Sequence, residues 1–209
     1  MSSLLCSLGV GCFNTSILTK YNIRHNESLG FSTPFDTCVW HNIDSFYSML
    51  VTDFEDFFND IYYDNESNIF KNKKYDIRFR FDNEQDINAL FDKYEKRVKN
   101  WRKLVNDKFK KYFILTTIYD TMDCSFIKKT YDYISQYGTL IWCHITKEDI
   151  GSKHFSKEEL NRFNYCFIKN PYPSDFPNNE WYKPNFYNTV EGLKFEKKYV
   201  DHIVNTVNL

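Results

Sequence analysis

Four short apolar runs punctuate the chain, and apolar residues recur at helical spacing in the stretches between them. "SLLCSLGVG" predicts a buried strand over 5–10 that closes on Gly9 and Gly11. "KYFILTTIYD" predicts a second over 112–118, "TLIWCHIT" a third over 139–145, and "NYCFIKNPYP" a fourth over 165–169 that stops at the prolines. Continuously apolar strands of this kind are covered on both faces. After the first strand, "CFNTSILTKY" reads as a short helix. Ile43, Phe46, Leu50, Phe54, Phe57 and Ile61 then recur every three or four residues, which predicts an amphipathic helix over 43–61 with the acidic side of "DFEDFFND" in water. The clearest helix runs over 86–109 on Ile87, Leu90, Tyr94, Val98, Trp101, Leu104 and Val105. "SFIKKTYDYISQYG" gives a helix ended by Gly138, "SKEELNRF" a short capped one, and a last helix covers 190–207. "YDIRFRF" alternates and reads as a strand.

Strand alternating with helix at this spacing predicts an α/β fold: a layered, largely parallel sheet with helices on both faces. Residues 1–209 then form a single domain, with the polar, turn-rich stretch 62–75 as a mobile insertion. Aromatic residues supply 19% of the chain, with 20 Phe and 16 Tyr, so the core is built from rings. The abundance of Asn, Lys, Ile, Phe and Tyr is what an AT-rich genome encodes, as in some large DNA viruses and protists.

Charge narrows the function classes. With 27 basic and 28 acidic residues spread along the chain, there is no basic footprint for nucleic acid. Six cysteines, Cys6, Cys12, Cys38, Cys124, Cys143 and Cys166, show no C-x-x-C spacing and no paired histidine. Neither a zinc site nor a redox dithiol is signalled, and no metal or cofactor is expected. The start of the chain lacks a basic region, and no run reaches membrane-spanning length, so the expectation is a cytoplasmic protein with free thiols and no membrane partner.

Ligands in α/β sheets gather where a strand's carboxyl end meets the next helix. Cys12 falls at such a point, where unpaired helix amides lower a thiol's pKa and can hold an oxyanion. Cysteine is also among the most buried residue types, so a packed thiol is the competing reading. Gly9 and Gly11 mark the turn as a binding element, although "G-x-G" without a third glycine is no dinucleotide fingerprint. Asp36, in "STPFDT", either orients a histidine or caps its own turn. Arg97 follows Tyr94 by three residues on the helix's apolar stripe, and either snorkels to the rim or meets a carboxylate, Asp36 first. Among the five histidines, His41 and His144 are the candidate bases, with His144 facing the same way as Leu140 and Trp142 by alternation. The other cysteines are expected away from helix termini, which leaves Cys12 the most reactive thiol.

"SLGVGC" with Cys12, "PFD" at Pro34 to Asp36 and "KYEKR" at Lys93 to Arg97, leading into "KYFILTTIYD", together resemble a group of domains catalogued as papain-like cysteine peptidases. The order and spacing fit over roughly residues 5–118. The resemblance implies Cys12 as a nucleophile, and offers an α+β papain-like arrangement as the alternative fold. Members of the group carry a histidine shortly before the basic helix, whereas here no histidine lies between His41 and His144. Three functions follow. One is a cysteine-dependent hydrolase or acyl transferase acting on a peptide, acyl or small-molecule substrate, with His144 or His41 as base and Asp36 orienting. Another is a catalytically inactive, partner-binding protein on the same scaffold. The third binds an anion or sugar phosphate at the first turn, with Arg97 assisting.

Overall fold

A computed structural model of the chain describes residues 3–9, 13–23, 32–40, 43–79, 86–118, 123–170 and 189–208. The four apolar runs become β1 (Ser3–Ser7), β6 (Lys110–Thr117), β7 (Thr139–Thr146) and β8 (Cys166–Lys169). They form one sheet in the order β1-β6-β7-β8, and every neighbouring pair is parallel. The alternation of side chains sorts this sheet's two faces. Leu4, Cys6, Leu8, Phe113, Leu115, Leu140 and Trp142 enter the larger core, while Leu5, Tyr112, Ile114, Ile141, Cys143 and Ile145 enter the smaller.

Helices cover both faces, as the pattern predicted. α1 (Phe13–Lys20) and the last helix, α7 (Val190–Val207), close the smaller core with Ile17, Leu18, Phe195, Tyr199 and Ile203. Buried Glu196 of α7 accepts from Lys20 Nζ at 2.6 Å and from the Tyr21 hydroxyl at 3.1 Å, which ties the two helices together. The larger core receives α2 (Ile43–Val51), α3 (Ile87–Asn106) and α4 (Cys124–Ile134). Two short helices, α5 (Gly151–His154) and α6 (Lys157–Arg162), join β7 to β8. α6 starts on the capping box read from "SKEE": Ser156 Oγ accepts from the Glu159 N–H, and the Glu159 carboxylate accepts from the Ser156 N–H.

The second sheet departs from expectation. β2 (Val39–Trp40), β3 (Ile61–Asp64), β4 (Ile69–Asn72) and β5 (Ile77–Arg78) make an antiparallel sheet in the order β2-β5-β4-β3. Thus 62–75, read as an insertion, supplies a regular hairpin whose Phe70 and Tyr75 join the larger core. Within "YDIRFRF", expected as a strand, Ile77–Arg78 forms β5, and residues 80 and 81 lie outside the described residues.

The helix expected over 43–61 ends at Val51. Asp53, Phe54, Asp56 and Asp60 have positive φ, so "DFEDFFND" is a series of turns. Two of its four acids are ion-paired, Asp53 with Arg102 at 2.7 Å and Asp56 with Lys74 at 2.6 Å, and all four are exposed, from turns where a helix face was expected. Phe54 and Phe57 are buried from those turns all the same. Buried Asn72 holds the segment by donating to the carbonyls of Phe57 and Asn59 at 2.8 and 2.9 Å.

Candidate functional site

Gly11, Cys12 and His41 lie outside the described residues. The described residues on either side of 10–12 are held by β6. Leu8 donates its N–H to the carbonyl oxygen of Ile114 at 2.8 Å, and Asn14 Nδ2 donates to the same oxygen at 2.9 Å. The residue that follows β1 and the first turn of α1 are therefore fixed to one atom of β6. Asn14, which sequence reasoning passed over, is fully buried. Its Oδ1 accepts from the Tyr199 hydroxyl at 2.9 Å, and the Thr116 hydroxyl stands 3.0 Å from that tyrosine oxygen. All these polar groups are satisfied, as burial demands.

This network explains Gly9 by packing. A Cβ built there would lie 2.7 Å from Asn14 Nδ2 and 2.9 Å from its Cγ, so any side chain would push Asn14 off Ile114. The glycine is a requirement for close approach.

Asp36 is buried in the 3-10 turn Pro34–Asp36, where its carboxylate accepts from the Thr15 hydroxyl of α1 at 2.9 Å and from the Thr33 N–H at 2.7 Å. The turn-capping reading is thus realised, and the same carboxylate holds α1. Beside it, Phe35 packs its ring at 5.0–6.0 Å from those of Trp40, Phe46, Phe54 and Trp101. The "PFD" motif consequently ties α1 to α2, α3 and the small sheet. Arg97 is half-buried across the Tyr94 ring, 4.9 Å from its centroid, and donates to the hydroxyl of Thr37, the residue after Asp36. Thr37 also lies 2.8 Å from the Tyr94 hydroxyl.

His144 is fully buried on β7, on the Trp142 side as alternation required, with Thr117 of β6 beside it in register. Its Nδ1 lies 2.8 Å from Thr117 Oγ1, which also accepts from Trp142 Nε1 at 2.8 Å. Trp142 only donates, so the hydroxyl keeps a lone pair and a proton for the imidazole. Thr117 also lines a narrow apolar pocket with Leu8, Trp40, Ile43, Phe46, Leu115 and Phe126, at the carboxyl ends of β1 and β6. Beyond β7, burial raises the Asp149 carboxyl. Hydrogen bonds from Ser152 and Tyr165 and the nearby imidazole of His144 outweigh that effect and leave it below its usual range. Thr117 and Asp149 were not singled out from sequence. A polar residue ending an apolar strand was the available signal for Thr117, whereas nothing local marks Asp149.

Cys124 is the first residue of α4, behind the N-cap Asp123, which corrects the expectation that the other thiols lie away from helix termini. Burial and the Asp123 charge nonetheless raise its pKa. Burial also raises Cys6, with Asp36 adding to the effect and Lys111 opposing it. Cys143 and Cys166 are likewise pushed up, chiefly by burial. Among the described residues no cluster suited to a metal ion occurs, and no helix is long and apolar enough to cross a membrane. Comparison with protein-family models, with curated proteins and with solved structures gives no match to this chain.

Proposed function

We propose that the protein is a cysteine-dependent hydrolase or acyl transferase, acting on a peptide, acyl or small carbonyl substrate, with Cys12 as nucleophile and His144 as general base. The observation that carries this reading is the Trp142–Thr117–His144 chain of hydrogen bonds at the carboxyl end of a parallel sheet. Leu8 and Asn14, which flank residues 10–12, are both held by the Ile114 carbonyl of the neighbouring strand β6. In the tautomer that catalysis needs, His144 Nδ1–H donates to Thr117 Oγ1, whose two lone pairs serve His144 and Trp142, and Nε2 takes the thiol proton. The sulfur then bonds to the carbonyl carbon, the imidazolium returns the proton to the leaving group, and water or an acceptor releases the acyl group from the thioester. Asp36 is a positioning residue, acting on α1 through Thr15. The resemblance to papain-like peptidases supports the nucleophile, and His41 is the alternative base.

A direct test is p-nitrophenyl acetate with the intact protein. A burst of nitrophenol and an acetyl adduct on the Cys12 peptide are expected, both lost in Cys12→Ser, with release slowed in His144→Gln. Turnover unchanged in both variants contradicts the proposal. The complete burial of His144 favours a second reading, a partner-binding protein without catalysis, for which no burst occurs while the fold is retained. Arg97 is engaged with the 34–37 loop through Thr37, so the anion-binding reading rests on the first turn alone.

A further inference from the structure

Among the described residues, the small antiparallel sheet has an unpaired edge at β3. β3 pairs with β4 on one side, and no described strand lies on the other. The phase of the ladder shows which backbone groups are free. Lys73 N–H donates to the Asp60 carbonyl at 3.1 Å, which makes Asp60 and Lys73 a hydrogen-bonded pair. Such pairs alternate along an antiparallel ladder, so Tyr62 with Lys71 and Asp64 with Ile69 turn their backbone groups inward. Ile61 and Tyr63 therefore direct N–H and C=O outward. Phe70, opposite Tyr63, agrees with this phase, because its carbonyl faces away from β3 and accepts from the Phe79 N–H at 3.0 Å.

Successive strand residues point to opposite faces, yet Tyr62 and Tyr63 are 45% and 44% exposed. Tyr62 and Tyr63 of β3 thus reach solvent on both faces, while Phe70 of β4 joins the core. The edge strand "IYYD" is short and ends in a charge, but holds no lysine and no proline. Its surroundings are acidic. Residues 53–66 contain six acids and no base. Arg102, Lys74 and Lys71 neutralise Asp53, Asp56 and Asp64. Glu55, Asp60 and Glu66 are exposed and make no ion pair among the described residues, against two such cations in this sheet and its turns, Lys73 and Arg78. A second copy of this chain is a poor occupant, because antiparallel pairing of β3 with itself brings like charges together.

We propose that β3 is a docking edge for an extended, basic segment of another protein, which adds to the sheet as a fifth strand. Its backbone pairs with Ile61 and Tyr63, and its Lys or Arg side chains face Asp60 and Glu66 and lie over the two tyrosine rings. The test uses the full chain with two labelled peptides, KVKVKVK amide and EVEVEVE amide, followed by fluorescence anisotropy and amide hydrogen exchange. The basic peptide is expected to bind at least about tenfold more tightly, to weaken from about 50 to about 300 mM salt, and to slow exchange at Ile61 and Tyr63. The surface double variant Asp60→Lys, Glu66→Lys should weaken it about tenfold with the thermal midpoint unchanged. Tyr63→Pro removes an outward N–H and should abolish binding, whereas Tyr63→Thr keeps the backbone and should retain part of it. The proposal is overturned if the two peptides bind alike or not at all, or if protection falls elsewhere. A dimer that Tyr63→Pro dissolves also overturns it, since the occupant is then a second copy.

Discussion

Gly9 and Asn14 act as a pair, because the missing side chain of one is the space the other occupies. Gly9→Ala should therefore displace the amide from Ile114 and Tyr199 and leave buried polar groups unsatisfied. The expected loss is about 1–3 kcal/mol in urea unfolding, and Asn14→Ala should remove most of the penalty of the added methyl. A full-sized effect of Gly9→Ala in the Asn14→Ala background would contradict this. The glycine was legible in the sequence as a special turn position, but its reason was not. Asn14 meets Ile114 and Tyr199, which follow it by 100 and 185 residues, and no local pattern announces such partners. His144 was legible to the extent that alternation gave its face; Thr117, its partner, required the register of two strands.

Elements with strong periodicity read correctly, and the exception is informative. Phe54 and Phe57 sit at helical spacing after Leu50 and are buried, yet the backbone between them turns through positive φ. Burial of the rings is what the pattern encodes, and two backbone courses satisfy it. At α6 the signal was local and complete. Hydrogen bonds from Lys128, the Ser156 N–H and the Ser156 hydroxyl hold the Glu159 carboxyl at about 2, below the usual 4.5. A carboxyl lowered on folding contributes stability that is present above its unfolded value and lost as pH falls through its folded one. Fraying of α6 is therefore expected between about pH 4.5 and about pH 2, followed by amide exchange, and should vanish from the profile in Glu159→Gln. Fraying of wild-type α6 that begins near neutral pH would contradict the assignment.

Across the whole molecule, the parallel sheet was readable because its strands are buried on both faces and stand out as unbroken apolar runs. The antiparallel sheet was hidden because its strands are two to four residues long and set among charged turns. The "PFD" turn joins the two halves: Phe35 fills the ring cluster under the small sheet while Asp36 holds α1 of the large one. The proposed function requires Cys12 to act as a nucleophile with His144 as its base. The most direct measurement is the rate of iodoacetamide alkylation of each cysteine as a function of pH, read by peptide mapping in wild type, Thr117→Val and His144→Gln. Cys12 should react first, with an inflection well below the usual thiol value of about 8.5 that rises in His144→Gln and partly so in Thr117→Val. Alkylation of Cys12 at the ordinary thiol inflection, unchanged in both variants, would contradict the claim.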